Sequence, residues 1–381
     1  MATETELNAG PLEELEITDA YVNWQKDEGA PVITGFYLED LSTVELGPWE
    51  RKGGRGAFVN LDGTGGVNDT QVVEIAPGGS SEPERHLYEE FVYIVSGRGS
   101  TSVWYDENNK QTFEWGRGSL FAIPLNANYQ HFNGSGREPA RYMAVTTAPV
   151  MLRLLRSRDF IFNNPHRFPE RFTGEQGYFN GEGKIHQSKR TQTLVTNFVA
   201  DVHSLGLHSW KERGGGGTHI GIELAENSTG AHISQFQIGT YKKGHRHGPG
   251  AHVIILDGDG FSTLWRDGDA EPIKCDWRPG AVIVPPENWF HQHFNTGNRP
   301  ARYLALRYQG RKYVSTVSVN RGDADISVKL GGNQIEYEDE DRKMHELFES
   351  ELARHGATCR MKGYIPWCTG EVGPTLNQGG D

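Results

Sequence analysis

The chain has 381 residues, enough for two or three domains at roughly 100–200 residues each, and at 36% apolar it can still bury a sizeable core. A formal charge of −12, with no lysine or arginine block longer than three, argues against a nucleic-acid partner and predicts only solubility. Three cysteines (Cys275, Cys359, Cys368) make no disulfide framework and fit a reducing, cytoplasmic setting. The acidic first thirty residues lack the apolar core of an export signal, and no apolar run approaches membrane-spanning length, so no membrane role is expected.

Residues 1–55 read as an arm. Leu12, Leu15, Ile17, Tyr21 and Trp24 lie among acids in a weak helical pattern, and Gly47-Pro48-Trp49 marks a turn. Such an arm can cover a barrel edge or a neighbouring subunit, and a homo-oligomer, dimer or tetramer, is expected. Residues 56–150 change to short β-rich runs bounded by glycine and proline: Gln71–Ile75, Phe91–Val95, Ser119–Ile123, Arg141–Thr147. Near-regular short strands of this kind predict a sandwich or barrel.

The same features then recur. Gly97-Arg98-Gly99 and Trp104 match Gly258-Asp259-Gly260 and Trp265 at an offset of 161 residues. Trp115, Gly118, Pro124, His131-Phe132-Asn133 and Pro139-Ala140-Arg141-Tyr142 match Trp277, Gly280, Pro286, His293-Phe294-Asn295 and Pro300-Ala301-Arg302-Tyr303 at about the same spacing. The chain is therefore read as a tandem duplication, with a second barrel at 216–310. Residues 151–215 form a connector rich in aromatics, and Met151–Arg156 reads as a short helix or strand. Residues 311–381 form a tail. Within it, Ile335–Gly356 is expected to be helical beyond its acidic start, with Met344, Leu347, Phe348 and Leu352 as its apolar stripe. Cys359 and Cys368 have no matching histidine or cysteine nearby in sequence, so no zinc site is expected there.

The chemistry concentrates between Gly239 and Asn295. His245 and His247, one residue apart on a strand, should share a face. His291 can meet them if the intervening strands fold back, and three imidazoles on one side of a metal leave the other side open. His293 shares the parity of His291, and Gln292 points away. His252 is expected on the outer face. His219 and His232, outside any motif, read as core or surface residues, and Arg302 and Arg307 as surface or packing arginines.

The spacing Gly239, His245, His247, Ala251, Gly258, followed by Gly280, Pro286, Asn288 (in place of glycine), His291 and Asn295, resembles the two motifs of the cupin superfamily. The resemblance covers both repeats. It implies an all-β fold of two tandem cupin barrels (double-stranded β-helix, or jelly-roll), with an N-terminal arm and a short C-terminal helix. The strings His245-Arg246-His247 and Trp289-Phe290-His291-Gln292-His293-Phe294-Asn295 further resemble gentisate 1,2-dioxygenase and its salicylate and 1-hydroxy-2-naphthoate relatives. That resemblance implies a metal on His245, His247 and His291. Fe(II) is the expected ion, with Mn, Ni or Zn as alternatives, and His293 is the catalytic acid or base.

Ala251 stands where the superfamily usually has a carboxylate ligand, so the site keeps the full charge of its metal and suits an anionic, chelating small-molecule substrate together with O2. The implied reaction is C–C cleavage of an oxygenated aromatic, hydroxybenzoate-like substrate by a non-haem Fe(II) dioxygenase. Two departures stand against this narrower likeness. Those relatives carry iron in the N-terminal barrel, and they place an arginine on the strand that here reads His252-Val253-Ile254-Ile255-Leu256. Cleavage of a β-diketone or hydroxyketone, a redox-neutral lyase, isomerase or decarboxylase, and a non-enzymatic binding protein remain open. In the first copy Glu84, His86, Glu90 and Tyr129 occupy the ligand positions, a set read as a degenerate scaffold site.

Overall fold

The computed structural model describes residues 15–373 except 65, 188–190, 249 and 314–323. It contains one unit built twice. The first unit runs β1 (Val32–Gly35), β2 (Tyr37–Leu38), β3 (Gly47–Trp49), β4 (Gly54–Leu61), β5 (Asp69–Ile75), β6 (Glu90–Ser96), β7 (Arg98–Trp104), β8 (Gln111–Gly116), β9 (Leu120–Ile123), β10 (Asn128–Asn133) and β11 (Ala140–Thr146). After β12 (Gly183–Gln187) the second runs β13 (Gln192–Thr196), β14 (Phe198–Val199), β15 (His208–Ser209), β16 (Thr218–Leu224), β17 (Gly230–Phe236), β18 (His252–Asp257), β19 (Gly260–Trp265), β20 (Ile273–Trp277), β21 (Val282–Ile283), β22 (Phe290–Asn295) and β23 (Ala301–Arg307).

Each unit folds into a large sheet facing a three-stranded one. The large sheets have the orders β1-β4-β5-β11-β6-β9-β14 and β12-β13-β16-β17-β23-β18-β21-β2; the small ones are β10-β7-β8 and β20-β19-β22. These are two jelly-roll barrels of the cupin type, as the sequence resemblance implies. The orders also show an exchange. β2, from the arm, pairs with β21 of the second barrel, and β14, from the connector, pairs with β9 of the first. The Leu41 N–H donates to Gly280 O at 2.8 Å, and the Val202 N–H donates to Gly118 O at 2.9 Å, one residue pair in each copy. The repeated unit therefore begins upstream of residues 56 and 216, with β1 and β13. Each upstream segment straps the other copy, so one barrel's sheet edge is covered by its twin's chain.

The alternation of β18 serves two cores. On β18, Val253 and Ile255 join the core inside the second barrel, while Ile254 and Leu256 join a cluster that runs into the first barrel. His252 shares the parity of Ile254 and is fully buried, with no partner among the described residues for either ring nitrogen. It does face away from Ala251, as expected, but onto the inter-barrel core and not onto an outer surface.

The arm's helix α1 (Ala20–Glu28) is capped by Asp19, whose carboxylate accepts from the Tyr21 and Val22 N–H groups; the expected helical pattern before residue 15 lies outside the described residues. α2 (Ala148–Leu155) and α3 (Arg158–Phe162) begin the connector, and there Phe162 packs on Trp24 and Tyr88. Among the described residues of the tail the α-helix is α4 (Arg342–Arg354), capped by Asp341, and it begins directly after the acidic run that opens the expected helical segment. Residues 333–335 instead run beside Gly244–Arg246, with the Arg246 N–H on Asn333 O at 3.0 Å and the Ile335 N–H on Gly244 O at 2.8 Å. Met344, Phe348 and Leu352 are buried as the stripe requires, and His345 is buried with them. Among the described residues no helix is long and apolar enough to cross a membrane.

Candidate metal centre

His245 and His247 do not lie in a regular strand. They sit on an extended segment held between β22 and residues 333–335, and His245 makes an antiparallel bridge with His291. Alternation still applies. Arg246 turns outward to Asn333 Oδ1 (2.9 Å) and Asp267 Oδ2 (2.6 Å), while His245 and His247 turn inward. The three rings converge, with centroids 4.2 Å apart for His245–His291, 4.8 Å for His247–His291 and 5.7 Å for His245–His247. One ring nitrogen from each lies within 4.8 Å of the others.

The free nitrogen of each ring can be assigned from its partner. Nδ1 of His245 faces Lys243 O (3.2 Å), Nδ1 of His247 faces Gly248 O (2.8 Å) and Nδ1 of His291 faces Trp289 O at a longer 3.4 Å. A carbonyl only accepts, so Nδ1 carries the proton and Nε2 keeps its lone pair. Burial holds all three imidazoles neutral: it lowers His247 to about 4 and His245 and His291 well below the usual range, and neighbouring cations and rings add to the shift. Three neutral Nε2 donors on one side of a cavity are a donor set that fits a divalent transition metal.

The turn that delivers His291 explains the departure from the motif's glycine. Asn288 has φ 60°, a left-handed conformation that asparagine tolerates, and its N–H holds His247 O at 3.0 Å. Asn126 does the same in the first barrel, with φ 57° and its N–H on His86 O at 3.1 Å.

His293 lines the cavity beside His291, their ring centroids 5.7 Å apart. Its Nδ1 pairs with Ser262 Oγ at 2.7 Å, and Ser262 Oγ accepts the Trp277 indole N–H at 2.9 Å. Burial lowers its pKa to about 3. The first barrel repeats this trio as Trp115, Thr101 and His131, at 2.9 and 2.7 Å. The trio thus belongs to the fold, and what sets His293 apart is its place on an open cavity, whereas Nε2 of His131 is buried without a partner among the described residues.

The cavity has a volume of about 340 Å³. Arg213, Lys242, Arg307 and Arg311 line it, with Asp325 as an acidic residue in its wall. Ala251 and Val253 contribute from the start of β18, and Tyr303, Ala305 and Arg307 from alternate positions of β23. His219 and His232 also line it, their rings 5.0 Å apart, and so are cavity residues and not the remote core or surface ones their lack of motif suggests. Register shows why: His232 stands opposite Ala305, which stands opposite Val253. Arg302, of opposite parity to Arg307, leaves the cavity and donates to the Val202 and Leu205 carbonyls. Arg213 comes from the connector, rests on Trp210 and pairs with Asp325 at 3.0 Å.

In the first barrel the equivalent space is closed by a cation of the chain itself. Lys52, at the same place in its unit as Arg213, buries its ammonium against Glu84 at 2.9 Å. His86 Nε2 meets Glu90 Oε2 at 2.7 Å, and the Tyr129 hydroxyl donates to Glu90 at 3.2 Å. Burial alone would lower the Lys52 pKa, but Glu84 and Glu90 more than offset it and raise it. An ammonium, a phenol and an imidazole bound to a carboxylate stand where ligands would, and among the described residues this group does not have metal-ligand spacing.

A second cluster does have that spacing. Against the sequence expectation, Cys359 and Cys368 lie beside His345 and Glu349 of α4. The signal was a His-x3-Glu pair on one helical face, which only the fold brings to the cysteines.

Residues 71–146 match the family model of the cupin domain, which places the match on the first barrel. No curated protein matches the chain. Similar solved structures include oxalate decarboxylase from Bacillus subtilis (14% identity, 85% of this chain and 90% of that one, TM-score 0.48). They also include the Lactobacillus farciminis oxalate decarboxylase formate complex (14%, 78% and 92%, 0.48) and vicilin from Corylus avellana, hazelnut (12%, 71% and 85%, 0.45). Likeness at this level carries nothing about the reaction of this chain.

Proposed function

We propose that the second barrel is a metal-dependent enzyme, a non-haem Fe(II) dioxygenase that cleaves a C–C bond of an anionic, oxygenated, aromatic substrate. The observation that carries this reading is a neutral three-histidine face with Ala251 at the carboxylate position, set in a cavity walled by Arg213, Lys242, Arg307 and Arg311. A divalent metal on these imidazoles would supply Lewis acidity and a binding place for O2 next to a chelating substrate. His245, His247 and His291 hold that metal. Arg307 and Arg311 orient the anionic group of the substrate, and the wall of Val253 and Ala305 excludes water around its ring. His293, steadied by Ser262, accepts the proton of a substrate hydroxyl.

The test is O2 uptake by the Fe(II)-loaded chain with gentisate, salicylates, hydroxynaphthoates and diketones. Uptake with a ring substrate supports the reading. Uptake with diketones alone moves the substrate class, and CO2 release without O2 uptake replaces the oxygenase with a redox-neutral lyase.

A further inference from the structure

We propose that the C-terminal tail holds a zinc ion on Cys359, Cys368, His345 and Glu349, a site separate from the histidine cavity and structural in role. One ligand atom from each of the four lies within 4.8 Å of the others. Cys359 Sγ is 3.5 Å from Cys368 Sγ and 3.9 Å from His345 Nε2, and His345 Nε2 is 3.1 Å from Glu349 Oε1. With Zn–S near 2.3 Å and Zn–N near 2.0–2.1 Å, the edges of a tetrahedron are about 3.8 Å between sulfurs and about 3.5 Å between sulfur and nitrogen. The Cys359–Cys368 and Cys359–His345 separations fall within about 0.4 Å of these edges.

Hydrogen bonding favours a cation as well. The Tyr241 hydroxyl lies 2.7 Å from Glu340 Oε2 and donates to it, so its oxygen is left to accept from His345 Nδ1 at 3.1 Å. That puts the proton of His345 on Nδ1 and turns the Nε2 lone pair toward Glu349, itself an acceptor. Two lone-pair atoms at 3.1 Å need a second proton on His345 or a metal cation between them, and the two thiols beside them supply the remaining donors for the cation. Cys359, Cys368 and His345 are buried, while Glu349 is half exposed and gives the ion its entry side. Binding would deprotonate both thiols, releasing two protons to solvent, and leave two thiolates, a neutral imidazole and a carboxylate around Zn²⁺.

The site would staple α4 to the loop that follows it. That loop packs through Met361 and Ile365 on Tyr241, Phe294 and Phe348. Glu340 also accepts from the Gln292 side-chain amide at 3.0 Å, and Gln292 lies between His291 and His293 on β22. The tail staple therefore backs the strand that carries two of the cavity histidines.

The test uses the full chain and has a readout the histidine cavity cannot produce. Replacing bound metal with Co(II) should give a near-ultraviolet thiolate-to-cobalt charge-transfer band. That band should persist in His291→Ala and vanish in Cys359→Ser/Cys368→Ser, with the loss of one zinc per chain. Glu349→Gln should retain the band but release zinc to a chelator at least tenfold faster. A wild-type Co(II) spectrum without the band would overturn the proposal, and it needs no variant to fold. So would one free thiol instead of three after denaturation without reductant, which would mean a Cys359–Cys368 disulfide. An absent oxygenase activity with the band present would leave this site standing and remove only the reading of the cavity.

Discussion

His245 and His291 face each other across one antiparallel bridge and exchange both backbone hydrogen bonds, His245 N–H to His291 O at 3.1 Å and His291 N–H to His245 O at 2.8 Å. Residues 46 positions apart in sequence are thus fixed by main-chain geometry before any metal binds. The cavity side chains inherit their placement from the barrel, which is why the repeat predicts the site better than any single histidine does.

Removing a ring from that pair should remove the metal without removing the fold. His291→Ala and His245→Ala are expected to lose bound iron by at least tenfold, and His86→Ala in the first barrel should not. Metal content by mass spectrometry against circular dichroism checks this. Iron lost from His86→Ala alone would place the metal in the wrong barrel.

Lys52 should matter for stability and not for turnover. Lys52→Met strands a buried Glu84 carboxylate, with an expected cost of about 3–5 kcal/mol, and adding Glu84→Gln should restore much of it. Urea unfolding of the two single variants and the double variant measures the coupling. Additive losses would mean that the ammonium and the carboxylate are not a pair.

His252 makes the protein sensitive to acid. Burial holds its pKa at about 3, below the unfolded value of 6.5, so the unfolded chain binds the extra proton between those limits. Its contribution is complete above pH 6.5 and is lost as pH falls toward 3. His252→Leu should therefore flatten the decline of stability between pH 6.5 and 4. At pH 7 it should be neutral or stabilising by about 1 kcal/mol, because two unpartnered ring nitrogens leave the core. An unchanged acid slope would show that the ring has a partner in solution.

Much of this was legible in the sequence, and the gaps have physical causes. Motif spacing located His245, His247 and His291 even though no regular strand carries the first two, because any extended segment alternates its side chains. The offset that pairs Trp104 with Trp265 also pairs Trp49 with Trp210 and Lys52 with Arg213. The arm and connector therefore held a legible extension of the repeat, hidden only by weak identity. Arg302 and Arg307 could not be told apart without the register of β23, since parity alone does not say which face is the cavity. The partners of Cys359 were illegible for another reason: a helix and a loop meet there through tertiary packing that local pattern does not encode.

Arg307 lies at the cavity end of β23, and its replacement separates binding from chemistry. Arg307→Gln should raise KM for an anionic substrate about 10- to 100-fold with a smaller change in kcat, the usual size for losing a charge-assisted hydrogen bond. Steady-state kinetics on any substrate found by O2 uptake decides it. An equal fall in kcat and kcat/KM would instead tie Arg307 to the transition state.

Ala251 gives the most direct test of what the cavity is for. It lies in the cavity wall close to the three histidines, at the position where a glutamate would supply a fourth protein ligand. Ala251→Glu should hold the metal more tightly, because a carboxylate adds both a donor and a unit of negative charge. It should also weaken substrate binding at least tenfold, because that carboxylate takes the coordination position and repels the anion from a wall that carries Arg213, Lys242, Arg307 and Arg311. Metal off-rates to a chelator and substrate titration on the same preparation measure both effects. Tighter metal with unchanged substrate affinity would mean that the substrate does not complete the metal's coordination, and the chelation argument would fall while the three-histidine site stood.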